Sequence, residues 1–124
     1  MAAAGSAQII EETHGSVKLV RWAWTSGTGE TVLADCTTTA FYTGDLLFFV
    51  TVPDGAAAPS DNYDVTILDK NDVDVLADSG MNRDTASTES VLAGSLGTVA
   101  NSELELNIAG AGSSNAGVVY LWIR

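Results

Sequence analysis

The stretch that decides the fold is Asp61–Asp84, DNYDVTILDKNDVDVLADSGMNRD. From Tyr63 to Leu68 every second residue is large and apolar, a period of two that places successive side chains on opposite faces of a β-strand. The polar run Asp69–Asp72 is typical of a turn, because Asp and Asn tolerate tight backbone conformations. Val73–Leu76 is predicted to return as the second strand of a hairpin.

Similar strand patterns recur through the chain, separated by turn signals. They lie at residues 17–24, 31–39, 46–52, 103–108 and 117–123. A helical turn is expected only around residues 89–93, and crossover helices are missing from the pattern, which excludes parallel βαβ units. The sequence therefore predicts an all-β fold, an antiparallel β-sandwich or barrel of about seven to eight strands.

The length and the net charge of the chain argue against some classes of function. The chain has 124 residues, which fits one domain, and a net charge of −11 from 16 acidic and 5 basic residues. Binding to nucleic acid requires clustered Lys and Arg, whereas the basic residues here are scattered. We expect neither nucleic acid nor a membrane as a partner.

Residues 1–16 are mostly small and polar, and they are predicted to form an extended N-terminal arm outside the domain of residues 17–124. One interpretation is a frayed terminus. The other is an arm that lies on a neighbouring subunit and is anchored by Ile9 and Ile10. The first residues have no signal-peptide pattern, and Cys36 is the single cysteine, so synthesis in a reducing cytoplasm is expected.

Two strands are apolar on both faces, residues 46–52 and 117–123. Each is expected to be central in a sheet or covered by a partner. Trp22 and Trp24 share a strand face with Lys18, which predicts a covered rim or a contact surface there. The tryptophans and tyrosines could line a sugar-binding face, although packing in a core or interface is the commoner role of such aromatics.

The sequence offers little for catalysis. The single histidine, His14, lies in the predicted arm, where nothing fixes its geometry, and Cys36 is predicted to be a buried, inert thiol. Nothing distinguishes an acid/base pair among the 16 carboxylates. We therefore predict a protein that is not an enzyme and has no catalytic or cofactor-binding residues.

Metal binding is also not expected. One His and one Cys are too few for a zinc site. The acidic residues from Asp69 to Asp74 suggest calcium, but an EF-hand loop needs Gly at its sixth position and Glu at its twelfth, where this chain has Asp74 and Gly80. Solvated turn residues explain the cluster better.

Arg83 lies in a connector between Asp78 and Asp84. It is predicted to form an ion pair that joins loops of its own chain. The alternative is an ion pair between subunits.

Several segments carry a family resemblance. The run Pro59–Thr66 (PSDNYDVT), then Asp74–Leu76, Asn82–Thr85 (NRDT) and Gly117–Arg124 (GVVYLWIR) resemble a small all-β structural protein of tailed-bacteriophage virions. The resemblance covers about residues 16–124. Within that group the chain looks most like a capsid decoration (cement) protein.

The resemblance implies a location on the outer surface of the phage head. There, copies would bind the major capsid protein and stabilise contacts between its subunits, self-associating as a homotrimer. Ile9, Ile10, Trp22 and Trp24 are the residues expected at contacts between chains. The alternative is a tail- or fibre-associated virion protein, or a glycan- or receptor-binding module.

Overall fold

The computed structural model describes residues 5–28, the backbone of 32–34, and residues 36–124. The described residues form an all-β fold, as the sequence predicts. Its strands are β1 (Gly5–His14), β2 (Val17–Thr25), β3 (Val32–Ala34), β4 (Tyr42–Pro53), β5 (Asp64–Leu68), β6 (Glu89–Leu92), β7 (Thr98–Ser102), β8 (Glu105–Ala109) and β9 (Ala116–Ile123). A short 3-10 turn, Ala93–Ser95, follows β6.

The strands are hydrogen-bonded in the order β5-β8-β3-β1-β2-β9-β4-β6, with β7 paired to the start of β4. All pairs are antiparallel except β1 with β3. This row of hydrogen-bonded strands bends so that its two ends face each other, which makes a β-sandwich. One layer contains β1, β2, β9, β4 and β6, and β5 and β8 pack against its inner side.

The core lies between these layers because each strand places alternate side chains inward. Val20, Trp22 and Trp24 of β2 lie in the same buried cluster as Leu106 and Ile108 of β8. The indole N–H of Trp22 donates to the Cys36 carbonyl at 2.9 Å, so the largest core side chain keeps a partner for its polar atom. The inward alternation predicted for residues 103–108 is confirmed.

Residues 5–14 are not an arm, and that prediction is wrong for this segment. They form β1, which pairs with β2 from Ser6–Thr25 to His14–Val17. The turn between the strands is only Gly15-Ser16, and Gly15 has φ +62°, the left-handed value that such hairpin turns require. Residues 1–4 of the predicted arm lie outside the described residues.

The hairpin predicted within Asp61–Asp84 is confirmed in its first strand and turn and is wrong in its second strand. The first strand and the turn are present, and the Asp72 N–H donates to the Asp69 carbonyl at 3.0 Å. Residues 73–76 make only an isolated bridge, Leu68 with Asp74, so the predicted second strand is wrong. The true antiparallel neighbour of β5 is β8.

Residues 74–80 instead cover the outer edge of β5. The Val65 N–H donates to the Gly80 carbonyl at 2.8 Å, and the Ile67 N–H donates to the Asp74 carboxylate at 3.2 Å. Open edge amides would otherwise offer a template for pairing with another chain. The segment therefore closes this end of the sheet.

Two further predictions need correction. The expected helical turn around residues 89–93 is strand β6 up to Leu92, because this segment pairs with β4 from Phe48–Leu92 to Thr51–Glu89. The strand expected over residues 31–39 is short, at Val32–Ala34, followed by an isolated bridge from Thr37 to Glu105. Residues 31 and 35 lie outside the described part.

The environment of Tyr42 is expected to make the protein less stable at alkaline pH. Burial, and then its 2.7 Å hydrogen bond to Glu11 and the charge of that carboxylate, raise the pKa of the phenol well above its usual 10.0. A group with a raised folded pKa stabilises the protein fully below its unfolded pKa and less as the pH rises above it. We expect the free energy of unfolding to fall from about pH 10 upward, and Tyr42→Phe to flatten that fall in urea titrations at pH 9–11. An unchanged pH dependence would contradict this role.

Candidate functional site

The layer of five strands has an outer face that points away from the core and that nothing covers among the described residues. The strand registers align its side chains in rows. We define the outer face by Leu19, Arg21 and Ala23 of β2, Val118, Tyr120 and Trp122 of β9, Phe48, Val50 and Val52 of β4, with Ile10 of β1 and Leu92 of β6 at its sides.

An aromatic ladder runs along the middle of the outer face. Tyr120 and Trp122 are stacked, with ring centroids 5.6 Å apart and planes 18° from parallel. Phe48 lies 5.5 Å from Trp122 on the neighbouring strand. At the other end, the Arg21 guanidinium lies 5.8 Å from the centre of the Tyr120 ring. The four side chains pack against one another, so the middle of the outer face is a continuous, largely aromatic surface.

The sides of the outer face are more exposed than its middle. Ile10 is 46% exposed and Leu92 is 71% exposed, and they lie on the two strands that flank β2, β9 and β4. Four strand spacings separate them, about 19 Å. Apolar side chains therefore extend across the whole width of the layer, which is typical of a surface that binds another macromolecule.

Charge is distributed unevenly over the molecule. Arg21 is the one charged residue among those that define the outer face, and Glu12 of β1 and Asp45 of β4 lie near it on the same side of the sheet, although the chain has 16 acidic residues. Many of the carboxylates instead lie in the segment 61–84. The outer face is nearly neutral in a strongly acidic protein.

The carboxylates of the β5–β6 connection are occupied as caps for backbone amides. Asp69 accepts from the N–H groups of Asn71 and Val73, and Asp74 accepts from those of Ile67, Leu76 and Asp78. Such turns explain the acidic cluster without an ion. Among the described residues, the structure brings together no group of three or more potential metal ligands.

The structure places the predicted contact residues in different environments. Trp22 and Trp24 are 0% and 1% exposed and point into the core, so the expectation that they contact a partner is wrong. Ile9 is partly buried against the core. Ile10 is the only one of these four on the outer face, and its contact with a partner stays a prediction.

Sequence reasoning missed the residues that form the middle of the outer face, Arg21, Phe48, Tyr120 and Trp122. The signal was present, because residues 46–52 and 117–123 are apolar on both faces. Both strands are central, as one interpretation predicted. Their second apolar face is the outer face.

Arg83 is buried and pairs within its own chain. Its Nη2 atom lies 3.5 Å from the Glu89 carboxylate of β6, and its guanidinium lies 5.8 Å from the centre of the Phe49 ring. Its backbone forms a bridge with Tyr63. The predicted ion pair within the chain is therefore present, but with Glu89 instead of the flanking Asp78 or Asp84. Only 9% of the residue is exposed, which leaves little for an ion pair between subunits.

Replacing Arg83 by alanine is expected to lower the free energy of unfolding by about 1–3 kcal/mol, because Glu89 loses its partner and Phe49 loses packing. Two guanidinium nitrogens, Nε and Nη1, have no hydrogen-bond partner among the described residues, and their removal offsets part of the loss. Urea unfolding measures the change. Binding of the folded variant to any partner should be unchanged, and a stable variant that no longer binds would instead indicate an ion pair between subunits.

His14 and Cys36, the side chains that could serve as a base and a nucleophile, lie in different environments. The imidazole of His14 is exposed and lies 2.8 Å from Glu12 on the same strand. Cys36 is 2% exposed, as predicted for a buried thiol. The two therefore lie in environments that do not combine them into a nucleophile and base.

An open cleft of about 560 Å³ adjoins the end of the outer face that is formed by Ala23, Val118 and Val52. Gln8, Ala23, Val118 and Val52 line it together with Trp24 and the loop at Asp54. Gly117 is needed here, since a Cβ at this position would lie 2.7 Å from the Trp24 ring. The lining of the cleft is mixed, because polar residues such as Ser6, Gln8 and Asp54 stand beside the apolar ones.

Comparisons with models of known protein families, with curated proteins and with solved structures gave no match. Within the described residues, no helix has the length and apolar character needed to cross a membrane.

Proposed function

We propose that this protein is a non-enzymatic decoration (cement) protein that binds the outer surface of a tailed-bacteriophage head and stabilises contacts between major capsid protein subunits. The observation that carries the proposal is the outer face, a packed, nearly neutral aromatic surface on a strongly acidic protein. The resemblance in segments such as Pro59–Thr66 and Gly117–Arg124 supplies the virion context.

The shape and charge of the molecule support this role. A wide sheet face fits a protein surface better than a small molecule, which binds in a concave pocket. Interfaces are depleted of charge at their centre and enriched in aromatic residues and Arg, as the outer face is. With most acidic residues elsewhere, the remaining surface keeps free copies soluble before they bind a preformed shell.

The test measures the rupture temperature of purified phage shells with and without the protein. We expect bound protein to raise it, and equal rupture temperatures would contradict the proposal. Leu92→Asp should reduce the amount bound, because it places a charge on the outer face. Val73→Asp is the matched control, since Val73 is also exposed, at 55%, but lies in the β5–β6 connection. The proposal includes a homotrimer, which light scattering on the free protein would test.

A glycan- or receptor-binding module is the second candidate. The stacked rings of Tyr120 and Trp122 favour it, because sugar rings bind flat aromatic surfaces through stacking and apolar contact. Glycan-array binding that is lost in Trp122→Ala and kept in Val73→Asp would support it. Binding to shells without binding to glycans would contradict the second candidate and support the first.

A further inference from the structure

Arg21 stands out among the residues of the outer face. It lies on β2, between Ile10 of β1 and Tyr120 of β9 in the strand register. Its Nε donates to the Tyr120 hydroxyl at 3.4 Å, and the guanidinium lies over the Tyr120 ring. The aromatic ring therefore fixes the position of the cation.

Arg21 is half-buried, yet it has no acidic partner among the described residues. The contacts there between a basic and an acidic side chain are the hydrogen bond of His14 with Glu12 and the ion pair of Arg83 with Glu89. This is unexpected on charge alone, because acidic residues outnumber basic ones by 16 to 5. A guanidinium binds a carboxylate best through two parallel hydrogen bonds, and the recorded bond to Tyr120 uses Nε alone.

The surroundings would strengthen a pair formed here. Tyr120, Trp122 and Ile10 would exclude water once a partner covers them, and an ion pair is stronger where water is excluded. Buried Arg and aromatic side chains at the centre of an interface commonly contribute most of the binding energy.

We propose that Arg21 binds a carboxylate of a partner protein, an Asp or Glu side chain surrounded by apolar residues that pack on Tyr120 and Trp122. This inference rests on the proposed function, in which that partner is the shell protein. It adds the chemistry that the shell must present, namely one acidic side chain within an apolar surface.

A second copy of this chain fits less well as the occupant. The carboxylates on the same side of its sheet are Glu12 of β1, which is already 2.8 Å from His14, and Asp45 at the start of β4, near the end of β9. A symmetric dimer centred on Arg21 would also bring two guanidinium groups together. Both points favour a different protein as the source of the complementary charge.

The test compares dissociation constants for undecorated shells, measured by co-sedimentation. We expect Arg21→Ala to weaken binding by about 30-fold or more, the range for losing one member of a buried charge pair. Arg21→Glu should weaken it further, because two carboxylates would then face each other. Lys70→Glu makes the same charge change at an exposed residue in the β5–β6 connection and should alter binding less than about threefold, as for a rim charge. Thermal unfolding of each variant checks that it is folded.

The outcomes separate the two proposals. If the unmodified protein does not bind shells, the proposed function fails and this inference fails with it. If it binds, and Arg21→Glu binds as well as Lys70→Glu, only the inference is overturned. Light scattering that shows a dimer dissociated by Arg21→Glu would also overturn it, since the occupant would be a second copy.

A second measurement identifies the partner surface directly. A photo-crosslinking amino acid at position 120 should link to a shell-protein peptide that contains Asp or Glu among apolar residues. A crosslinked peptide without an acidic residue would overturn the proposal that Arg21 binds a carboxylate.

Discussion

Replacing Trp22 by alanine is expected to lower the free energy of unfolding by about 3–5 kcal/mol, the range for removing a large aromatic side chain from a core. Trp22 is fully buried and its indole N–H donates to the Cys36 carbonyl, so both packing and a hydrogen bond are lost. Because a small domain has only about 5–15 kcal/mol in total, the variant should be close to unfolding.

Urea unfolding followed by far-ultraviolet circular dichroism measures this change. Trp22→Phe is the control, since it keeps an aromatic ring and should lose about 1–2 kcal/mol, mainly the hydrogen bond and some packing. A loss below about 1 kcal/mol in Trp22→Ala would be outside the range for a core tryptophan. The indole would then have to be exposed, and Trp22 would return as a candidate contact residue.

Gly80→Ala should lower the free energy of unfolding by about 3 kcal/mol, at the upper end of the range for an added methyl group in a packed site. A Cβ at this position would overlap the carbonyl oxygen of Val65, which is backbone and cannot rotate away. The same two residues are joined by the Val65 N–H bond to Gly80. The substitution therefore pushes the covering segment off the edge of β5.

Hydrogen exchange tests the location of this effect. The amides of Val65 and Ile67 should exchange faster in Gly80→Ala, because both donate to residues 74–80. Gly94→Ala is the matched control, as a Cβ there meets nothing within 4 Å, and it should change stability by less than about 0.5 kcal/mol. Unchanged exchange at Val65 would mean that the segment does not hold this edge.

The fold class could be predicted because apolar alternation determines which face of a strand is buried. The strand at residues 103–108 shows this clearly, with Leu104, Leu106 and Ile108 all buried. Strand β1 was missed because it has few apolar residues to alternate. Of its inward positions, Ala7 is small and Glu11 is polar, held by hydrogen bonds from Tyr42 and the amides of Thr39 and Ala40. Gly15-Ser16 was the available signal for its hairpin.

The contact surface was harder to predict than the fold. A tryptophan on a strand can face the core or the outside, and only the pairing of the whole sheet decides which. Trp22 and Trp122 illustrate this, since Trp22 pairs with Val119 on the inner face and Trp122 pairs with Leu19 on the outer face. Neighbouring sequence around the two residues is similarly apolar, so composition alone does not distinguish them.

The position of β9 also has a consequence for how the protein folds. Its contact with β2 joins Arg21 and Tyr120, which are 99 residues apart, and β9 lies between β2 and β4 in the layer. The chain must close this long loop before the strands on either side gain their shared neighbour, and such distant pairings fold slowly, in about milliseconds to seconds. Until β9 is inserted, β2 and β4 have free edges, so refolding at low protein concentration should give the highest yield.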